Sequence, residues 1–480
     1  MALTVIVAWL LPCATADSAP TLYIADGYSV YSVPADGSAT ATVITTEDWS
    51  LAVRAIVLDP ASDRLFGTTA SNRSVFVSSL VPGSIPSKLP IPDALLANPS
   101  GLSIDPATGT LYWGTEGTGS NNGMLGRGPV AGGGAEIATP GFASKRPWGV
   151  AYAADTGLLW WTQYATPSSA IRWSRPDGSA SGTLDTTGAT VQNPQSIAIS
   201  RARQRVYWGN QDGISSASLN GGDGSDIISI PMLYPKGLVI DDAAGRIRWF
   251  TDVAGSTVLH SANLDGTDIV DVPVNGITAT SLGGALALLL DPVAGSAPAV
   301  SGTAALGQTL TCERDVWLTD LPEASVYRAV RTATVQWVRD GSVIAGATTS
   351  TLVPDVAGSY ACRVIGANAA GSTVVDSAAI SVPAADVVKP RVLSARWTVR
   401  GGSVRSTFIA PAGSNRFAIT AARANKRDLR GHCRVRTAAR KRTVACSISL
   451  TKGRWTVMIS ASKSSLVLAR STRTITIARG

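Results

Sequence analysis

Pro147-Trp148-Gly149-Val150, then Leu159-Trp160-Trp161-Thr162, then Asp177-Gly178-Ser179: these three phrases decide the fold, because they recur in the same order through the first 280 or so residues. The opening phrase returns as Pro99-Ser100-Gly101-Leu102, Pro194-Gln195-Ser196-Ile197 and Pro235-Lys236-Gly237-Leu238. Degenerate copies stand at Val53-Arg54-Ala55-Ile56 and Val274-Asn275-Gly276-Ile277. The six starts lie 46, 48, 47, 41 and 39 residues apart, close to the roughly 40–50 residues of a four-stranded propeller blade. The second phrase returns as Leu65-Phe66, Leu111-Tyr112-Trp113, Val206-Tyr207-Trp208 and Trp249-Phe250-Thr251-Asp252, with a sixth copy, Tyr23-Ile24-Ala25-Asp26, near the N-terminus. The third is a turn at Asp36-Gly37-Ser38, Asn220-Gly221 and Asp265-Gly266-Thr267. Asp-Gly or Asn-Gly between alternating apolar residues signals a hairpin.

This phase makes the chain begin with strands two to four of a blade and supply the missing first strand near residues 277–282. Such an offset closes a ring and hides the edge that an open sheet would expose. The apolar run 285–290 competes for the same role. The phrases resemble the YWTD repeat, the class B repeat of the low-density lipoprotein receptor, over about residues 20–283. The resemblance implies a six-bladed β-propeller. The Tyr-Trp-Thr-Asp string is never complete, and Ile24 and Gly67 stand at the aromatic position, so two blades are expected to pack differently. The cysteine-rich epidermal-growth-factor-like modules that flank that propeller are absent, so receptor function is not implied.

Charge divides the chain. Residues 387–480 carry 21 Lys and Arg against the single acid Asp428, and residues 1–386 carry 20 against 32. An acidic body precedes a basic domain. Residues 2–11 form an apolar stretch before Ala14-Thr15-Ala16-Asp17, a small-x-small cleavage pattern, so 1–16 reads as a signal peptide. Pro12 before Cys13 fits lipoprotein processing poorly. No apolar run approaches the ~18–20 residues of a membrane span. The expected location is secreted or on the cell surface.

The remaining four cysteines form an even set that suits an oxidising compartment. Cys312, Trp337 and Cys362 follow the cysteine, tryptophan, cysteine order of an immunoglobulin-like sandwich, with Tyr360 at the place of the tyrosine corner. Gln336-Trp337-Val338-Arg339-Asp340-Gly341 resembles the bacterial immunoglobulin-like repeats of secreted proteins. Cys433 and Cys446 are expected to clip two neighbouring strands of a basic β-rich domain. The fold class is therefore all-β: a six-bladed β-propeller over 20–292, an immunoglobulin-like β-sandwich over 296–384 and a small basic β-rich domain over 388–480.

Histidine occurs only at His260 and His432, and neither has a Gly-x-Ser-x-Gly partner, which argues against Ser-His-acid catalysis. Zinc spacing and a phosphate-binding Gly-x-x-x-x-Gly-Lys loop are also missing. Propeller loops that leave strand two and enter strand one converge around the channel. They carry Asp26, Glu116, Gln163, Asn210, Asp212 and Asp252, together with Arg146, Trp148, Gln195 and Lys236. A protein or glycan ligand is expected on this face, with Trp148 free to stack on it. Against this stands a bland reading, in which the acid of each repeat serves blade structure through backbone hydrogen bonds. No cofactor is expected, although such oxygens suit calcium, which makes a calcium-dependent hydrolase or lyase of the lactonase kind the alternative to a non-enzymatic binding or scaffold protein. In the basic domain Arg434, Arg436, Arg440, Lys441 and Arg442 form a polyanion footprint. Export argues against nucleic acid, leaving anionic cell-wall polymers as the expected partner.

Overall fold

The computed structural model describes residues 20–478 except 26, 47–52, 120–121, 140–144, 166, 254–255, 278–283, 385–390, 424–425, 439–440 and 464–465. Side chains at 46, 252–253, 256–257, 426–427, 438 and 466 are also outside the description. The signal-peptide expectation at 1–16, Asp26, the side chain of Asp252 and Arg440 therefore lie outside the described residues. The chain divides into two compact units, Met1–Pro383 and Ala384–Gly480.

The first unit contains a β-propeller, with six four-stranded antiparallel blades among the described residues. Five blades are consecutive in sequence and begin with the strands Val53–Asp59, Pro99–Asp105, Pro147–Ala153, Ser196–Ser200 and Lys236–Asp241. The sixth joins the two ends of the repeat: Ala285–Leu289 pairs antiparallel with Thr21–Ala25, followed by Ser29–Pro34 and Thr42–Thr46. The innermost strand of this blade is thus the 285–290 run, not the 277–282 segment expected from the repeat phase. Ala285–Leu289 is buried along its whole length, so an uninterrupted Ala/Leu run suits it. The degenerate Val274-Asn275-Gly276-Ile277 phrase belongs instead to the connection after the strand Val270–Val272.

The repeat can be explained from packing. The opening-phrase glycine lets neighbouring first strands meet around the channel: a Cβ at Gly101 would strike the Trp148 carbonyl, and one at Gly149 would crowd Gln195 and Ile197. Ser100 and Ser196 tie blades together by donating to the carbonyls of Pro147 and Pro235, at 2.7 and 2.9 Å. The Asp of each Asp-Gly turn accepts from the backbone N–H two residues on, as Asp177 does from Ser179 at 2.9 Å. Where strand two lacks its aromatic residue, strand three supplies one. Gly67 lies opposite Phe76, whose ring fills its space, and Ile24 lies opposite Tyr31. Trp113 opposite Gly126 is the reverse arrangement.

Residues 299–382 form two sheets, one of Ala299–Gly302, Leu310–Glu313 and Thr351–Leu352, the other centred on Thr332–Arg339 and Gly358–Ala367. Cys312 and Cys362 are disulfide-bonded. Trp337 is fully buried beside Cys362, and Tyr360 donates its hydroxyl to the Val356 carbonyl at 2.6 Å. In the second unit a five-stranded and a four-stranded sheet enclose Phe408, Ile419, Val444, Trp455, Val457 and Ile459. Cys433 and Cys446 are disulfide-bonded across adjacent strands.

Candidate functional site

The propeller channel has two differently built ends. At the end where first strands finish, the connection between Leu310–Glu313 and Thr332–Arg339 of the neighbouring sandwich enters the channel as a plug. Its tip is a 3-10 turn, Pro322–Ala324, closed by Ser325 in the left-handed region. On the way out Val326–Tyr327 adds a parallel strand to Ala285–Leu289, and Leu290 N–H donates to the Tyr327 carbonyl at 2.8 Å. Asp320 cinches the base of the loop, accepting from the backbone N–H groups of Arg328 and Ala329 at 2.6 and 2.7 Å.

Glu323 is fully buried in the plug, in ion-pair contact with Arg201, which directly follows the first strand Ser196–Ser200 of its blade. Neither of its oxygens accepts a well-aligned hydrogen bond. Burial pushes the Glu323 carboxyl up to about 7, against the pull of Arg201, and the Asp320 carboxyl up to about 6. The folded chain therefore holds these protons more tightly than the unfolded chain does. The stability they confer is fully present below the ordinary carboxyl range and is lost as pH rises through about 6 to 7. Raising a carboxyl from 4.5 to about 7 corresponds to about 3 kcal/mol. Chemical denaturation should show the wild-type unit becoming less stable from pH 5 to pH 8, and Glu323→Gln should remove much of that slope. An unchanged slope in the variant would mean that Glu323 is ionised throughout.

At the other end lies a bowl of about 420 Å³. Arg54, Trp148, Gln195, Met232, Tyr234 and Lys236 line it, and the plug tip contributes Ser325 to its wall. Glu116 ties three blades together at this mouth. Its two oxygens hold Arg54 of blade one and Arg146 at the entry to blade three, with Arg146 Nε donating at 3.1 Å. The arginines are also stacked on rings: Arg54 lies 4.8 Å from the Trp148 centroid and Arg146 lies 4.7 Å from that of Tyr164. Trp148 and Tyr164 are themselves 5.2 Å apart.

Of the residues expected from sequence, Glu116, Arg146, Trp148, Gln195 and Lys236 gather at the mouth. Three do not. Gln163 donates to the Ser168 carbonyl and accepts from Arg172 within blade three. Asn210 accepts from Gln192 N–H and donates to the Thr190 carbonyl and Ser215. Asp212 accepts from Met232 N–H and holds the loop before blade five. These three do the structural work of the bland reading. Arg54, Tyr164, Met232 and Tyr234 belong to the mouth without having been singled out.

Backbone conformation marks the same place. The residue before the entry proline has positive φ in four blades: Asn98 at 54°, Arg146 at 45°, Asn193 at 50° and Tyr234 at 43°. Asn tolerates this region, and Asn98 and Asn193 also use their side chains to brace loops, toward the Gly117 carbonyl and Gln211. Arg and Tyr are poorly suited to it. Arg146 pairs with Glu116 and Tyr234 lines the bowl, and strained residues of this kind tend to serve function.

Among the described residues, which leave out Asp26 and the Asp252 side chain, the carboxylates at and beside the mouth are engaged: both oxygens of Glu116 hold guanidinium groups, and Asp212 accepts from the Met232 N–H. Among the described residues no three His, Cys, Asp or Glu side chains come together as a metal-binding group.

No family model matches the chain. Over 126 residues, or 25% of the chain, it is 29% identical to Protein cueball of Drosophila erecta, and over 91 residues it is 37% identical to that of Drosophila grimshawi. The matched parts span only 19% and 15% of those curated relatives. Among solved structures, a nidogen/laminin complex aligns with 56% of this chain and 98% of its own, at 15% identity and a TM-score of 0.48. A gluconolactonase from Xanthomonas campestris aligns with 49% of this chain and 84% of its own, at 16% identity and a TM-score of 0.38. The propeller itself follows from the sheet pairing.

Proposed function

We propose that the chain is an exported, non-enzymatic binding protein of the cell surface whose propeller mouth captures a protein or glycan ligand. The observation that carries this reading is the strained, stacked set Arg146, Trp148, Tyr164 and Arg54 around Glu116. Such a set offers aromatic faces and guanidinium edges to a ligand with both apolar and anionic groups. The repeat phrases support a YWTD-like propeller over 20–292. The disulfide, the buried Trp337 and the Tyr360 hydroxyl bond support an immunoglobulin-like domain over 296–384. Two disulfides suit an oxidising, extracytoplasmic setting, and among the described residues no helix is long and apolar enough to cross a membrane. The basic domain, 388–480, is the proposed attachment to anionic envelope polymers. Calcium-dependent hydrolysis gains no support from the donor set at the mouth.

The test separates binding from folding. Arg146→Asn places a tolerant residue at φ 45° and removes one of two guanidinium partners of the buried Glu116, which keeps Arg54. Circular dichroism should show that the variant still folds, while capture of ligands on peptide and glycan arrays falls at least about tenfold; Trp148→Ala should lose capture as well. A wild-type chain that captures nothing, or variants that capture equally well, would overturn the reading.

A further inference from the structure

The four-stranded sheet of the second unit runs Ala395–Arg400, Ser403–Ile409, Lys441–Ser449, His432–Ala438 from edge to edge. Its inward phase, including Val404, Phe408, Val444, Cys446 and Ile448, is buried in the core. The outward phase follows from the register. One row across the sheet reads Arg396, Thr407, Ala445, Arg434; the next reads Thr398, Arg405, Ser447, His432; and Thr443 lies beside Arg436. The pattern is a floor of mostly short uncharged side chains, with Arg405 and Lys441 on its inner strands and Arg396, Arg434 and Arg436 along its edges. Arg396, Arg405, Arg434, Arg436 and Lys441 are all exposed, and among the described residues none has an ion-pair partner. The lone acid, Asp428, lies on Lys426–Arg430 in the other sheet.

Two details narrow the occupant. Arg442 has the opposite phase; it donates to the Ser414 carbonyl at 3.0 Å and covers the Phe417 ring, so it is separated from the other cations. Among the described residues the outward phase holds no Trp, Tyr or Phe, since Trp397 and Phe408 pack toward the core, and its one ring is the His432 imidazole at the edge. A single edge imidazole is a poor platform for a run of bases or sugar rings. Its edge strands stand roughly 14 Å apart, and Arg434 and Arg436 are about 7 Å apart along one of them. Guanidinium groups at such spacing pair bidentately with successive phosphates of a flexible chain.

We infer that this sheet face binds a linear phosphodiester polymer of polyols, held along the arginine-edged floor. This deepens the attachment role proposed for residues 388–480 and rests on it. Binding of the full chain to labelled poly(glycerol phosphate) would be titrated across salt concentrations. Replacing Arg396, Arg405, Arg434 and Arg436 by Ser should weaken binding at least about 30-fold at low salt. The slope of log K against log salt should become shallower by about 3, because each lost contact contributes roughly 0.7 on a flexible strand. The matching replacement of Arg416, Arg430, Arg454 and Arg470, exposed on the other sheet, removes the same charge and should change affinity less than about threefold. Circular dichroism would verify that both variants fold, and the single change Arg405→Ser should weaken binding in the same direction if the quadruple variant does not fold. Equal losses in the two quadruple variants, or none in the first, would overturn the inference. Tighter binding of polygalacturonate or single-stranded DNA than of poly(glycerol phosphate) would overturn the polymer assignment. A chain that binds whole envelope fractions but ignores poly(glycerol phosphate) sinks this inference and leaves the attachment role standing; one that binds neither sinks both.

Discussion

A chain lacking residues 20–46 is expected to form no propeller at all. The deletion removes Thr21–Ala25, Ser29–Pro34 and Thr42–Thr46, three of the four strands of the closing blade. It takes Leu22, Tyr23, Ile24, Val30, Val33 and Ile44 out of the core, each almost fully buried. At about 1.5–3 kcal/mol per side chain the loss over six side chains is roughly 9–18 kcal/mol, comparable with the whole stability of a typical domain at about 5–15 kcal/mol. The apolar strand Ala285–Leu289 would be left with an open edge, which invites pairing between copies. Circular dichroism should show loss of the cooperative β-sheet transition, and size exclusion should show aggregates. A soluble monomer with an unchanged melting temperature would refute the ring closure.

Most of the ring was legible because the physical constraint repeats. Each inner strand needs a glycine or small residue where it meets the next blade, and each hairpin needs its Asp-Gly turn. The closing strand was misread by several residues because Val274-Asn275-Gly276-Ile277 imitates the opening phrase, while Ala285–Leu289, buried throughout, shows no alternation. The aromatic position likewise misleads at Gly67, since opposite residues can exchange large and small side chains, as Phe76 does. At the mouth, Glu116, Arg146 and Trp148 were readable because they occupy fixed offsets in the repeat. Arg54 was harder, since it belongs to a degenerate copy. The plug gives no local signal, because its meaning depends on a channel built by residues far earlier in the chain. Its length was the available hint: residues 314–331 are long for a connection within a small sandwich.

Tyr327→Ala is expected to destabilise propeller and sandwich together by about 3–5 kcal/mol, the usual cost of removing a buried aromatic side chain. Tyr327 is fully buried and packs in the same cluster as Tyr23, Leu58, Ala287 and Leu289, yet its neighbours in sequence belong to the sandwich. The ring is therefore shared between two bodies. Its backbone adds to this coupling through the parallel pairing of Val326–Tyr327 with Leu288 and Leu289. Truncation to Ala opens a cavity under the closing blade, the blade whose hydrogen bonding completes the ring, so the loss should appear in the transition of the whole first unit. The comparison is Val343→Ala in the same sandwich, where the side chain is 49% exposed and a change within about 0.5 kcal/mol is expected. Denaturant midpoints of the two variants would decide the matter. If Tyr327→Ala moved the midpoint no more than Val343→Ala, the plug would be an appendage that rests in the channel without contributing to its stability. Loss of the predicted size would instead make the sandwich loop a structural part of the propeller, and the bowl that includes Ser325 a site built by both.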